Sequence, residues 1–172
     1  MRINCAAVYL LAVFVTVIAL AAPARGQVIA SVSGGPSAVR SIGVHGSAWQ
    51  VGGGVEAVGE LYGFGGEVHY VYFPEANTTF AGGLGSASSP AMSTTTFAVK
   101  GSYYFAPKRT GHRLRPYVTA GLTYLYDDEE PMPLLHVGGG VDWWATRRTG
   151  MRFEVREHLG SMLSFRCGVV VR

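Results

Sequence analysis

The sequence predicts an all-β fold: an eight-stranded antiparallel up-and-down transmembrane β-barrel preceded by a cleavable signal peptide. Three observations carry this expectation. Apolar and polar residues alternate with period two in eight segments after residue 27, and that period is the mark of a pleated strand. Within those segments the charges Glu56, Glu67, Lys100, Asp142, Arg152, Glu154, Arg156 and Arg166 all fall on one parity, and the other parity carries none. Beyond the N-terminal apolar run, no stretch is apolar for long enough to cross a bilayer as a helix.

The N-terminus reads Met1-Arg2-Ile3-Asn4, then an apolar run from Cys5 to Ala22, then Pro23-Ala24-Arg25-Gly26. A basic start, an apolar centre and small residues before a cut describe a secretory signal, and so export through the Sec pathway. The domains expected are thus a signal peptide over 1–26 and a barrel over 27–172, with cleavage after Gly26 or, as the alternative, after Ala24. The whole chain has 14 Lys and Arg against 11 Asp and Glu. Processing removes Arg2 and Arg25 and no acid, leaving a formal charge of +1, which gives no ground for a nucleic-acid partner. Cys167 alone remains of the two cysteines, so the exported chain has no internal disulfide to stabilise it. A closed barrel, with its backbone groups paired, is another source of stability.

Strand one is expected over Val28–Pro36, followed by a connection from Arg40 to Ser47. Strand two, Ala48–Val58, sets Trp49, Val51 and Val55 against Gln50, Gly52, Gly54 and Glu56. After the turn Gly59-Glu60, strand three (Leu61–Phe73) sets Tyr62, Phe64, Val68, Tyr70 and Tyr72 against Gly63, Gly65, Glu67 and His69. Pro74–Ser93 has no periodicity and reads as a mobile loop. Its Asn77-Thr78-Thr79 matches a glycosylation acceptor and reads as a chance match. Strand four, Thr95–Phe105, places Phe97, Val99 and Tyr103 opposite Thr96, Lys100 and Tyr104. A basic turn, Ala106–Arg115, leads to strand five, Pro116–Tyr126, with Val118, Leu122 and Tyr124 opposite Thr119, Gly121 and Thr123.

The acidic connection Asp127-Asp128-Glu129-Glu130-Pro131 precedes strands six and seven, the hairpin His136–Arg156 around Arg147-Arg148-Thr149-Gly150. Val137, Val141, Trp143, Phe153 and Val155 share its uncharged parity; Asp142, Arg152, Glu154 and Arg156 share the other. A short link at Leu159-Gly160-Ser161 enters strand eight, Met162–Arg172, with Phe165, Cys167 and Val169 opposite Arg166 and Gly168. Strands of 9–11 residues suit a tilted membrane crossing, and an even number brings both termini to one side, which in an outer-membrane barrel is the periplasm.

An Arg or Lys on a lipid-facing surface at mid-bilayer costs about 2–4 kcal/mol, which accounts for one charge-free face in every strand. The four acids and four bases of the other face are expected to pair as a lumen network, because unpaired buried charges are costly. Removal of one of them, such as Arg166, is then expected to cost about 3–5 kcal/mol. A soluble sandwich explains the alternation equally well. It does not explain why glycine gathers on the charged parity, or why Tyr and Trp gather near strand ends, as interfacial aromatics do.

Over Val28–Arg172 the chain resembles the eight-stranded outer-membrane β-barrel proteins of Gram-negative bacteria, the group that includes the OmpA transmembrane domain. The segments that carry the likeness are Arg115-Pro116-Tyr117-Val118-Thr119-Ala120-Gly121, Gly138-Gly139-Gly140-Val141-Asp142-Trp143-Trp144 and Phe153-Glu154-Val155-Arg156. The resemblance implies a monomer in contact with outer-membrane lipid and lipopolysaccharide, inserted by the outer-membrane assembly machinery. The chain departs from the group in ending Val169-Val170-Val171-Arg172 rather than on an aromatic residue.

No catalytic, cofactor-binding or metal site is expected. The close His/Ser pairs, His45-Gly46-Ser47 and His158-Leu159-Gly160-Ser161, lie in or beside external loops and read as polar loop residues rather than a nucleophile and base. Glu67 and His69 read as a buried structural pair. Asp127–Glu130 lacks the glycine and spacing of a calcium loop and reads as a solvated acidic tip. Eight strands leave an interior that side chains fill, so a plugged lumen is expected rather than an open pore. The functional expectation is a small integral outer-membrane barrel with a structural, surface-interaction or narrow-pore role and no catalysis. The alternatives are a soluble exported lipocalin-like carrier of a small apolar ligand and, behind it, an outer-membrane lipid hydrolase.

Overall fold

The computed structural model describes residues 27–41, 44–79, 86–106, 113–126 and 132–172. The expected signal peptide, the acidic run Asp127–Pro131 and most of the basic connection after Ala106 lie outside these residues. Among the described residues there are ten strands: β1 (Gln27–Ser41), β2 (Val44–Val58), β3 (Tyr62–Phe73), β4 (Ala76–Thr79), β5 (Ser86–Ser89), β6 (Met92–Tyr104), β7 (Leu114–Tyr126), β8 (Met132–Trp144), β9 (Thr149–His158) and β10 (Met162–Val171). Eight of them close a barrel in the order β1-β10-β9-β8-β7-β6-β3-β2, every neighbour antiparallel. β4 and β5 form a separate two-stranded hairpin.

Several strands extend beyond their expected limits. β1 does not stop at Pro36, and the expected connection Arg40–Ser47 is largely strand, paired as far as Ser41 with Val44. Proline lacks an N–H. The β1–β10 ladder accordingly skips Gly35 and Pro36, then resumes in unchanged register at Ser37 with Ser164. The break is local and the strand runs through it. Pro74–Ser93 is not structureless either: it holds the β4–β5 hairpin, and Met92 and Ser93 already belong to β6. Arg115 lies in β7 rather than in the basic turn. Thr149 and Gly150 begin β9, because the Thr146 hydroxyl accepts N–H bonds from Arg148 and Thr149 and closes the turn earlier. Gly150 is required where it stands, since a Cβ there would stand 2.5 Å from the Trp143 carbonyl oxygen. The last turn uses Gly160 at φ +79°, a conformation other residues rarely adopt.

Burial is inverted relative to a soluble fold. Val32, Trp49, Tyr62, Leu135 and Phe165 are exposed, while Glu56, Lys100, Asp142, Glu154 and Arg156 are buried inside the barrel. All eight charges expected inside are buried, while Ala57, on the outward parity of its strand, is buried as well. The end that carries both termini is sealed within by Ile29, Val58, Tyr104, Tyr117, Trp144 and Val170. Cys167 points outward between Phe165 and Val169. In the membrane-inserted protein its thiol is expected to resist a charged, impermeant thiol reagent; rapid labelling would place that face in water.

The charged interior of the barrel

The eight charged residues expected in the lumen all project inward, and the strand register stacks them in two levels. In the level nearer the termini, Arg152 of β9 donates from Nε and Nη2 to the two carboxylate oxygens of its cross-strand neighbour Asp142, at 2.7 and 2.9 Å. Its Nη1 reaches across the lumen to Glu56 Oε2 of β2 at 3.0 Å. The Tyr104 hydroxyl completes this level, donating to Glu56 at 2.9 Å and accepting from Arg152 Nη2 at 3.0 Å.

The second level centres on Glu67 of β3. Lys100 Nζ lies 2.5 Å from its Oε1, and Arg156 Nη1 and Arg166 Nη1 each lie 2.8 Å from its Oε2. Glu154 holds the opposite side, with Arg156 Nη2 at 2.5 Å and the Tyr117 hydroxyl donating to it at 2.7 Å. Arg156 is held by charge and proximity, for its nitrogens have no hydrogen-bond partner in good geometry. Lys100 joins the levels, 3.7 Å from Glu56 and 3.9 Å from Glu154. Because β3 is diametrically opposite β9 in the closed sheet, the Glu67–Arg156 pair spans the full lumen.

A more neutral layer lies beyond. Gln50 donates to the Ser37 hydroxyl at 2.8 Å, and Ser37 to Ser164 at 3.2 Å. His136 is 2.9 Å from the Thr123 hydroxyl, with its ring centroid 5.7 Å from that of His158. His69 Nε2 is 3.5 Å from Glu67, the structural pair expected on that strand face. His158 corrects the sequence reading. It is the buried last residue of β9 rather than a loop histidine, because alternation continues two residues past Arg156. Ser161 Oγ donates to the His158 carbonyl at 2.6 Å, not to its ring, so the pair lacks the bond of a nucleophile to its base. Among the described residues no group of His, Cys, Asp and Glu could hold a metal ion.

Sequence reasoning did not assign Tyr104, Tyr117 or Arg115 to the site. Tyr104 and Tyr117 stand on the charged parity, and an aromatic there was the available signal. Arg115 is buried 3.9 Å over the Tyr104 ring and donates to the carbonyls of Ala106 and Glu60. The network also revises the expected cost of losing Arg166. Glu67 keeps Lys100 and Arg156 when Arg166 is removed, so Arg166→Ala is expected to lose about 1.5–3 kcal/mol in urea unfolding from lipid vesicles. A loss under about 0.5 kcal/mol would mean that water already screens the site.

No family model matches the chain, and no curated protein matches it. Solved structures do. A de novo designed transmembrane β-barrel is similar at 16% identity over 85% of this chain and 94% of its own, with a TM-score of 0.56. The N-terminal β-barrel domain of Pseudomonas aeruginosa OprF is similar at 16% identity over 86% and 98%, with a TM-score of 0.54. Neisserial surface protein A follows at 11% identity over 84% and 95%, with a TM-score of 0.50. At such identities the likeness is one of architecture: the chain has the eight-stranded antiparallel barrel fold of the outer-membrane proteins.

Proposed function

We propose that the protein is an integral outer-membrane barrel, exported through the Sec pathway and inserted as a monomer by the assembly machinery, whose filled interior makes it a non-conducting structural or surface-presenting element without catalysis. The observation that carries this reading is the cross-lumen network. Ties from β2 and β3 to β9 and β10 occupy the passage at two levels, and an apolar seal closes the terminal end. The exposed Val, Leu, Phe and Tyr of the outer face favour lipid around the barrel. A soluble carrier needs the reverse arrangement, an apolar interior for its ligand and a polar outside. With periplasmic termini, the β3–β6 connection with its β4–β5 hairpin, the acidic β7–β8 connection and the β9–β10 turn face outward, toward lipopolysaccharide and any surface partner.

Planar-bilayer recording of the purified protein tests this. No steady conductance is expected from the wild type. Stable, voltage-independent channels would overturn the closed reading, and release from envelopes by a buffer wash would overturn membrane integration itself.

A further inference from the structure

The outer face carries a hollow where four strands meet. One row across the sheet reads Val141, Phe153, Cys167 and Gly34 on β8, β9, β10 and β1; the next, away from the termini, reads Gly139, Val155 and Phe165, with Pro36 beside it. Gly34 and Gly139 bring no side chain to these rows, so Phe153 and Phe165 rise beside gaps. The result is an apolar groove of about 390 Å³.

Arginines flank the terminal ends of β7, β8, β9 and β10. Arg113, Arg147 and Arg148 are exposed. The Arg172 guanidinium lies 3.5 Å over the Trp144 ring. Backbone bonds gather these residues: Arg172 N donates to Arg148 O at 2.8 Å, and Trp144 N to Arg113 O at 2.7 Å. Asp142, the nearest acid on these strands, is buried and already holds Arg152. Trp143 projects outward between groove and arginines, where interfacial aromatics sit. From Thr149 to Phe153 the strand advances about 14 Å at ~3.4 Å per residue. At a tilt near 40° that is roughly 10 Å of depth, inside the ~15 Å of one leaflet's hydrocarbon.

We propose that this face binds an anionic glycerophospholipid of the leaflet on the terminal side, with an acyl chain in the groove, the glycerol region beside Trp143 and the phosphate against Arg147 and Arg148. The inference rests on the membrane-spanning reading above and names a lipid partner for it. Charge complementarity selects the headgroup, and the apolar groove at chain depth selects a lipid over a free anion. The opposite rim does not suit phosphate, since its β7–β8 connection carries Asp127, Asp128, Glu129 and Glu130.

The test is native mass spectrometry of the protein purified from membranes in non-ionic detergent, titrated with dioleoyl phosphatidylglycerol or dioleoyl phosphatidylcholine. The wild type is expected to retain phosphatidylglycerol about tenfold or more over phosphatidylcholine. The double variant Arg147→Ala/Arg148→Ala should bring the two lipids level, and Gly139→Leu, which fills the groove, should lower both. Equal retention by the wild type overturns the proposal, as does a preference that survives in the double variant. Displacement of the lipid by inorganic phosphate overturns it too, by showing that the arginines take a free anion. Heat-modifiable gel mobility establishes that each variant is folded. A protein that stays in membranes yet shows no preference loses only the lipid site, whereas one that washes out loses the membrane reading.

Discussion

Glu67→Gln is expected to destabilise the folded barrel by about 3–5 kcal/mol, the range for uncovering buried charge. Glu67 lies within 2.8 Å of Lys100, Arg156 and Arg166, whereas Glu154, which also reaches all three, is that close to Arg156 alone. An amide of the same shape keeps the packing and removes the charge, so Arg156 is left with Glu154 alone, and Lys100 and Arg166 are left with Glu154 and Glu56 at 3.7–3.9 Å. Neutralising one acid is therefore costlier than neutralising one base, because each base shares its acid with others. Urea unfolding in vesicles, run beside Arg166→Ala, checks the order. A smaller loss for Glu67→Gln than for Arg166→Ala would show that the network has no hub.

Gly121→Val is expected to cost about 3 kcal/mol or to prevent insertion altogether. A Cβ at Gly121 would overlap the Val99 carbonyl and stand 2.9 Å from Lys100 Cα and 2.8 Å from the His136 ring. Backbone on the neighbouring strand cannot give way without breaking the β6–β7 ladder, where Lys100 pairs with Gly121. Gly101→Ala is the control: it faces outward with nothing within 4 Å of its added carbon and should change stability by under about 0.5 kcal/mol. Similar losses for the two would mean that the interior is loose enough to accept branched side chains.

These contrasts show what the sequence makes legible. Period two fixes the face of each residue without knowledge of any partner, so eight of the nine buried charges among the described residues were readable from parity alone. Partner choice was not. Whether Glu67 meets Arg166 or Glu56 does depends on how far the sheet staggers before it closes, and no single strand encodes that stagger. Strand ends were blurred where polar residues continue the alternation, which is why Arg115 and His158 were assigned to connections although both are inward strand residues. β4 and β5, at four residues each, are too short for a period to emerge from Ser, Thr and Ala. The tyrosine hydroxyls of Tyr104 and Tyr117 act as neutral members of a charged site, which a tally of charges passes over.

The two signs of charge are also separated along the chain. The charged lumen residues of β2 and β3 are the acids Glu56 and Glu67, whereas β9 and β10 are net basic there, with Arg152, Arg156 and Arg166 against the single acid Glu154. Arg166 and Glu67 lie 99 residues apart, and Arg152 and Glu56 lie 96 apart. A half-assembled sheet therefore has an acidic early edge and a basic late edge, each poorly tolerated in hydrocarbon without the other. The last hairpin brings the counter-charge as β10 seals against β1, so neutralisation and closure become one event. The cross-lumen pairs, Glu67 with Arg156 and Arg166 and Glu56 with Arg152, act as a latch that engages when the ring is complete, and open-sheet intermediates are expected to be too short-lived to accumulate.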